Sequence, residues 1–231
     1  MVSVAGPMMD YGDFAKRAKD ATGRCVILAR HGERPGIDPA DPTFGRTLPL
    51  TAAGEALARA CGRALRGTGT PDDWTFGASS LRRTMLTAQY VAEEIGVSPE
   101  AVVDTPEVGI PGLWIEDALV VHSWQKRMGV RVYHEEQMRN GRAEGFWDVD
   151  DCARRVLAWL SGTSIRTRYA FYSTHDCHLG YLLNGLGAAN IDTAHWVGFL
   201  QGCALFEQAD GGWKAHYLVP DKGCYANRFV F

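Results

Sequence analysis

Short apolar runs alternate with longer amphipathic segments along most of the 231-residue chain. The short runs are too brief for core helices and are rich in β-branched and aromatic residues, which is typical of buried strands. The longer segments repeat apolar residues every three or four positions, as a helix with one buried face does. The predicted strands are 25–30, 74–79, 102–104, 169–174, 199–207 and 213–219, and the predicted helices are 7–22, 52–66, 80–95, 150–161 and 177–186.

The order of these elements predicts the fold class. Strands that alternate with helices favour a largely parallel sheet covered on both faces. We therefore predict an α/β protein, a three-layer α/β/α sandwich with a mostly parallel central sheet, in one domain over residues 1–231. Periodicity is lost over about 105–148, where Trp114, Trp124 and Trp147 occur among basic residues. We expect this stretch to be a small inserted cap that determines substrate specificity.

Composition narrows the classes of partner. The net charge is −3, so the chain lacks the excess of positive charge that favours binding to nucleic acid or to an anionic membrane. Hydrophobic residues make up 46% of the chain, which suits a domain with a sizeable core. No apolar run approaches the roughly 20 residues of a membrane span, and the polar start is unlike a signal peptide. The six cysteines lack Cys-x-x-Cys spacing. We expect reduced thiols and a cytoplasmic protein; the oligomeric state is left open.

The stretch with the clearest chemistry follows the first predicted strand and reads Arg30-His31-Gly32-Glu33-Arg34-Pro35. Ligands of open α/β sheets bind at the carboxyl ends of strands. Gly32 permits a sharp turn or a close approach of backbone to ligand. Guanidinium groups on both sides of an imidazole indicate a pocket for an anion such as phosphate.

This stretch resembles the signature of the histidine phosphatase superfamily, which also contains the phosphoglycerate mutases. With Arg34 the stretch resembles the pattern of the acid phosphatase branch, Arg-His-Gly-x-Arg-x-Pro. The difference is that Pro35 follows Arg34 directly, one residue earlier than in that pattern. The later pair His175-Asp176 resembles the His-Asp pair of that branch. Two other matches are Leu50-Thr51 with Gly54, and the set Ser79, Leu81, Arg83, Thr87 and Ala88, which follows the superfamily's pattern Ser-x-Leu-x-Arg-x-x-x-Thr-Ala.

The resemblance implies a role for each site residue. His31 would be the nucleophile and would carry the phosphoryl group as a phosphohistidine. His175 would stabilise the equatorial oxygens of the transition state, and Asp176 would protonate the leaving group. Neither a cofactor nor a metal ion is implied. The phosphate-binding residues would be Arg30, Arg34 and Arg83.

Other interpretations of these residues stay open. Glu107 lies where the mutase branch has an acidic residue and is the alternative proton donor, although we prefer Asp176. Asp176 is also a plausible N-cap of the helix that follows it. His175 and His178 have the spacing of a His-x-x-His metal pair, but no carboxylate cluster surrounds them.

The predicted function is a metal-independent phosphatase that hydrolyses phosphomonoesters through a phosphohistidine. The substrate would be a small-molecule or a protein phosphomonoester. The alternatives are a phosphomutase of the phosphoglycerate mutase type, a non-catalytic module that binds a phospho-ligand, and a metal-dependent His-Asp phosphohydrolase. The chain lacks a Walker A loop, a strand-linked Gly-x-Gly-x-x-Gly and a Gly-x-Ser-x-Gly elbow, so other common nucleotide and hydrolase sites have no support.

Overall fold

The computed structural model describes residues 8–38, 41, 43, 45–162 and 167–221. Within these residues the strands are β1 (Met9–Asp10), β2 (Cys25–Arg30), β3 (Trp74–Ala78), β4 (Val103–Asp104), β5 (Tyr169–Thr174), β6 (Gly202–Glu207) and β7 (Trp213–Val219). The helices are α1 (Tyr11–Asp20), α2 (Ala52–Leu65), α3 (Arg82–Ile95), α4 (Ala118–Met128), α5 (Val130–Asn140), α6 (Val149–Gly162) and α7 (Asp176–Gly185).

The strands form one sheet, which in the described part of the chain has seven strands in the order β1-β7-β6-β2-β5-β3-β4. Strand β6 runs antiparallel to both of its neighbours, β2 and β7. The other pairings are parallel. The mostly parallel sheet is thereby confirmed, and the predicted hairpin is the β6–β7 pair.

Both faces of the sheet are covered by helices. Alternate residues of β2 point to opposite faces: Ile27 packs with α1, α2 and α3, whereas Leu28 packs with α6 and α7. Every residue of β2 is buried, as expected for a central strand between two helical layers. The α/β sandwich is therefore confirmed.

The strand order brings three loop starts together at one edge of the sheet. Strands β2, β5 and β3 are parallel neighbours, so their carboxyl ends lie at the same edge. In register, Arg30 pairs with Thr174, and Ala78 pairs with Ser173. The next residues along each strand, His31, His175 and Ser79, therefore emerge side by side.

The stretch 105–148, in which the sequence shows no clear periodicity, contains the helices α4 and α5. Its helical periodicity is hard to detect because the described buried residues of α5 are Tyr133 and His134, while Leu119 of α4 is 82% exposed. The stretch packs on α7, where His134 Nδ1 and the Tyr181 hydroxyl lie 2.7 Å apart. The Phe146 and Tyr181 ring centroids are 5.2 Å apart.

Smaller differences occur at the N-terminus and the cysteines. Met9–Asp10, predicted as helix, instead forms β1 and pairs in parallel with β7 before α1 begins. The described cysteines are free thiols, and Cys224 lies outside the described residues. Among the described residues, no helix combines the length and apolar character needed to cross a bilayer.

Candidate active site

His31 lies directly after β2 and is only 3% exposed. Its Nδ1 is 2.8 Å from the Gly32 carbonyl oxygen, and its Nε2 is 3.1 Å from Arg83 Nε. A carbonyl only accepts and a guanidinium only donates, so Nδ1 carries the hydrogen and Nε2 carries the lone pair. The surroundings thus select the Nδ1–H tautomer, in which Nε2 accepts from Arg83.

The charge state of His31 follows from the same surroundings. Burial lowers the pKa of its imidazole, and the positive charges of Arg30 and Arg83 lower it further. The Gly32 hydrogen bond and Asp176 act in the opposite direction, but the pKa stays well below its ordinary value. The ring is therefore neutral and keeps its Nε2 lone pair at physiological pH.

Two of the three predicted arginines act directly on this imidazole, Arg83 through its hydrogen bond and Arg30 through its charge, whereas Arg34 interacts electrostatically with the other two guanidinium groups. The Arg83 Nη1 donates to the Gly45 carbonyl at 3.0 Å. Burial, followed by the charge of Arg34, lowers the pKa of Arg83 to about 10. Burial and the charge of Arg30 lower the pKa of Arg34 as well. The pocket around His31 is therefore electropositive, since each of these guanidinium groups lowers the pKa of a neighbouring cation.

Two of these arginines have an unused donor. Arg30 Nη1 donates to the Val197 carbonyl at 2.7 Å, and Arg34 Nη1 donates to the Pro35 carbonyl at 2.9 Å. The Nε of Arg30 and the Nε of Arg34 are both buried without a hydrogen-bond partner among the described residues. Buried N–H groups are rarely unpaired in folded proteins, so these two donors are available to bind an oxygen atom of a ligand.

His175 stands beside His31, with the ring centroids 5.8 Å apart. It lies between β5 and α7 and is the N-cap residue of α7, in extended backbone conformation. Its Nε2 is 3.0 Å from the Ser79 hydroxyl. Burial, then the neighbouring His178 and Arg83, lower the pKa of His175 well below its ordinary value.

Asp176 is paired with Arg30, whose Nη2 lies 2.9 Å from its Oδ2. The other carboxylate oxygen accepts from the Cys177 backbone N–H at 2.9 Å. Burial alone would raise the pKa of Asp176, but the charge of Arg30 and the hydrogen bond from the Cys177 N–H outweigh it and the pKa is lowered. The carboxylate is therefore ionised here. Asp176 begins α7 and is not its N-cap.

Glu107 lies in a 3₁₀ turn, Pro106–Val108, at the same edge of the sheet. The turn is joined to β5, because the Thr174 hydroxyl donates to the Val108 carbonyl at 2.6 Å. Within the described part of the chain, no hydrogen bond or ion pair engages the Glu107 carboxylate. Glu107, Asp104, Ser80, Ile110 and Leu113 are among the residues that line a cleft of about 360 Å³.

Residues 26–217 match the family model described as histidine phosphatase superfamily, branch 1. The chain belongs to this superfamily. The match covers β2 to β7 and therefore includes every residue of the site described above.

Individual proteins of the superfamily match this chain over a shorter stretch or at low sequence identity. A 2,3-bisphosphoglycerate-dependent phosphoglycerate mutase of Methylobacterium sp. (strain 4-46) is 33% identical over 119 residues. That alignment covers 46% of this chain and 57% of the relative, so it spans little more than half of the relative's length.

Solved structures share the fold at low sequence identity. The protein histidine phosphatase SixA, complexed with tungstate, has a TM-score of 0.53 at 17% identity and covers 85% of this chain and 97% of its own. A phosphoglycerate mutase from Bacillus anthracis str. Sterne has a TM-score of 0.52 at 14% identity, covering 88% and 95%. A mycobacterial glucosyl-3-phosphoglycerate phosphatase, complexed with VO3, has a TM-score of 0.52 at 18% identity, covering 85% and 98%.

The superfamily prediction is thus confirmed, but its finer part is not supported. Arg34 and the His175-Asp176 pair favoured the acid phosphatase branch. The matching family model is that of branch 1, and the curated relative is a phosphoglycerate mutase.

Several residues of this histidine phosphatase superfamily site were not predicted to take part. Phe199 packs under the Arg30 guanidinium, 4.4 Å from its carbon to the ring centroid. The Thr87 hydroxyl accepts from the Gly32 N–H at 2.9 Å and so holds the loop that anchors His31. Thr87 belongs to the matched motif, whereas nothing in the local pattern marks Phe199.

His178 has a packing environment instead of a metal environment. It stacks on Trp114 of the insert, with centroids 4.4 Å apart and planes at 6°. Burial lowers its pKa to about 3. Among the described residues, no group of three or more His, Cys, Asp or Glu side chains is arranged to hold a metal ion.

Proposed function

We propose that this protein is a phosphatase that hydrolyses phosphomonoesters through a phosphohistidine on His31, without a metal ion. The observation that carries the proposal is the hydrogen bonding of His31, with Nδ1–H on the Gly32 carbonyl and a lone pair on Nε2. The unpaired Nε donors of Arg30 and Arg34 support a tetrahedral oxyanion as the ligand.

The first step transfers the phosphoryl group to His31. The Arg83 Nε–H turns from His31 Nε2 to a phosphoryl oxygen as substrate binds. The Nε2 lone pair then forms the P–N bond while the P–O bond to the leaving alcohol breaks, and an acid protonates the alkoxide. In the second step water attacks phosphorus and gives a proton to the conjugate base of that acid, the P–N electron pair returns to Nε2, and phosphate leaves.

Glu107 is the better candidate for the acid in this mechanism, although the sequence favoured Asp176. An acid must be protonated before transfer, and the ion pair with Arg30 lowers the pKa of Asp176. Asp176 could serve only after Arg30 moves to the phosphate. Assays of Glu107→Gln and Asp176→Asn identify the acid. The variant that has lost it should hydrolyse alkyl phosphates much more slowly, whereas its rate with nitrophenyl phosphate should change little.

The test is a panel of phosphomonoesters assayed with wild type and His31→Ala, with and without a strong chelator. We expect turnover that the chelator leaves intact and a loss of at least ~10³-fold in His31→Ala. Quenching in alkaline denaturant, in which the acid-labile P–N bond survives, should trap radiolabelled phosphate on the wild type only. The matched control is His195→Ala, a surface histidine paired with Asp192. Full activity of His31→Ala, or no turnover of any ester, would refute the proposal; the latter would favour a non-catalytic binding module.

A phosphoglycerate mutase is the second candidate, because the curated relative carries that activity. The cleft that Glu107 lines favours hydrolysis instead, if it receives the acceptor, since the described residues of its lining include the carboxylates of Asp104 and Glu107 and no lysine or arginine. An anionic acceptor would be repelled there. Incubating the labelled enzyme with 3-phosphoglycerate tests this: we expect label in free phosphate, whereas label in bisphosphoglycerate would indicate the mutase.

A further inference from the structure

Two hydroxyl groups, those of Ser79 and Thr84, form a hydrogen-bonded chain that ends at His175 Nε2. The Ser79 hydroxyl is 3.0 Å from His175 Nε2 and 2.8 Å from the Thr84 hydroxyl. Ser79 directly follows β3, and Thr84 lies in the first turn of α3. All three side chains are buried, so protein groups must satisfy their hydrogen bonds.

The hydrogens of this chain can be assigned by elimination. The Thr84 oxygen lies 2.7 Å from the Ser79 carbonyl and 2.6 Å from the Leu81 carbonyl. Carbonyls cannot donate, so the single Thr84 hydrogen points at them. Thr84 must therefore accept from the Ser79 hydroxyl. The Ser79 oxygen, having spent its own hydrogen, must accept from His175 Nε2–H.

We propose that Ser79 and Thr84 are positioning residues that hold His175 as its Nε2–H tautomer, with the ring fixed against rotation. Thr84 acts through Ser79 and touches neither the proposed nucleophile nor the phosphate. The same helix also steadies His31, since Thr87 binds the Gly32 N–H. Helix α3 would thereby orient both imidazoles, one through each threonine, in addition to carrying Arg83.

The catalytic consequence rests on the proposed function. A histidine that stabilises equatorial oxygens must present an N–H to them in a fixed orientation. Because Ser79 takes the Nε2–H, His175 meets the phosphate through Nδ1, which donates once the dianion's charge raises the pKa of the ring and it takes up a second proton. Removal of the Thr84 hydroxyl frees the Ser79 hydrogen to bond to His175 Nε2, which favours the neutral Nδ1–H tautomer and replaces a charged donor with a weaker neutral one. We expect Thr84→Val to lower kcat about 10- to 100-fold with little change in KM.

The decisive measurement is the ¹⁵N spectrum of the histidine rings in the free, full-length protein. We expect His175 to show Nε2–H in wild type and in Thr84→Ser, which keeps the hydroxyl. Thr84→Val and Ser79→Ala should lose this signature. The matched control is Thr75→Val, which breaks another hydroxyl pair of β3, 2.7 Å from Thr167, and should leave His175 unchanged.

Two outcomes would overturn the inference: Nδ1–H on His175 in wild type, or a Thr84→Val spectrum and kcat equal to those of wild type. The spectrum requires no turnover. A failure of the proposed function, seen as full activity of His31→Ala, is therefore distinguishable from a failure of this inference.

Discussion

The catalytic edge of the sheet is bounded by two regions that are built in different ways. The phosphate side consists of the loop after β2 and the first turns of α2 and α3. The insert side consists of residues 105–148 together with α7. The phosphate side is held by backbone groups, glycines and guanidinium groups, whereas the insert side is held by buried aromatic rings and neutral histidines.

On the phosphate side, close backbone contact leaves no room for side chains. A Cβ on Gly54 would lie 2.3 Å from the Glu33 carbonyl oxygen, and one on Gly32 would lie 2.9 Å from the Gly54 carbonyl oxygen. The Thr51 N–H donates to the same Glu33 carbonyl at 2.9 Å. The first turn of α2 therefore presses directly on the loop whose Gly32 carbonyl holds His31.

On the insert side, the contacts are between rings. Trp114 stacks on His178, and His178 meets His175 edge to face at 5.4 Å. His134 is buried among aromatic rings, and burial lowers its pKa to about 4. The comparison teaches that one side creates the electrostatics of the site and the other supplies its apolar support. Substitutions on the phosphate side should therefore lower mainly activity, whereas substitutions on the insert side should change mainly stability.

The largest effect is expected on the phosphate side, from Arg83→Ala. This change removes the guanidinium that contacts His31 Nε2 and one of the charges that lower the pKa of His31. We expect kcat/KM to fall ~10³-fold, or about 4 kcal/mol of transition-state stabilisation. The control is the neighbouring Arg82→Ala, whose side chain is exposed and binds the Thr47 carbonyl. Equal losses in both variants would contradict the assignment.

The next effect is the acid sensitivity of the insert side. Burial lowers the pKa of His134 to about 4 in the folded protein, below the ordinary histidine value of about 6.5, so the unfolded chain takes up the proton first. Stability should fall as the pH drops from 6.5 towards 4, and His134 should contribute on the order of 3 kcal/mol of that loss. Urea unfolding across this range should show a shallower slope for His134→Gln; identical slopes would refute the prediction.

A smaller pair of effects separates positioning from stability within α2. Gly54 and Gly62 both lack room for a Cβ, but Gly62 packs on α3, against Val91 and Glu94. Overpacking should cost each alanine variant about 2 kcal/mol of unfolding free energy. Only Gly54→Ala should also lower kcat, about tenfold, because it displaces the loop that anchors His31. Matching kcat values at equal folded fraction would show that Gly54 has no positioning role.

The smallest effect is expected on the outer surface of α2. Arg59 pairs with Glu55 at 3.0 Å and with Glu93 at 2.8 Å, and these side chains are partly exposed. Exposed ion pairs contribute less than about 1 kcal/mol each. Glu55→Gln should therefore change the urea midpoint slightly and leave kcat/KM unchanged. A large loss of activity would mean that the electrostatics of the phosphate side extend to its surface.

The sequence by itself predicted the central strands and the ends at which the site residues lie. Strand β5 was predicted with its observed bounds, and Arg83 was identified from its spacing in a motif. These features depend on neighbours within a few positions, where strand alternation and helix periodicity operate. The helices α4 and α5 were missed, because α4 buries only Val121 among its described residues, α5 buries Tyr133 and His134, and Leu119 and Val132 are exposed.

Only the tertiary structure decided how the site residues are paired. Arg30 binds Asp176, Ser79 binds His175, and Trp114 of the insert stacks on His178. These partners are 64 or more positions apart, as the residue numbers show (178 − 114 = 64), and no local pattern encodes them. The protonation of a buried group depends on the charges and donors packed against it. The sequence therefore determined which residues reach the edge, and packing determined their tautomers and charges.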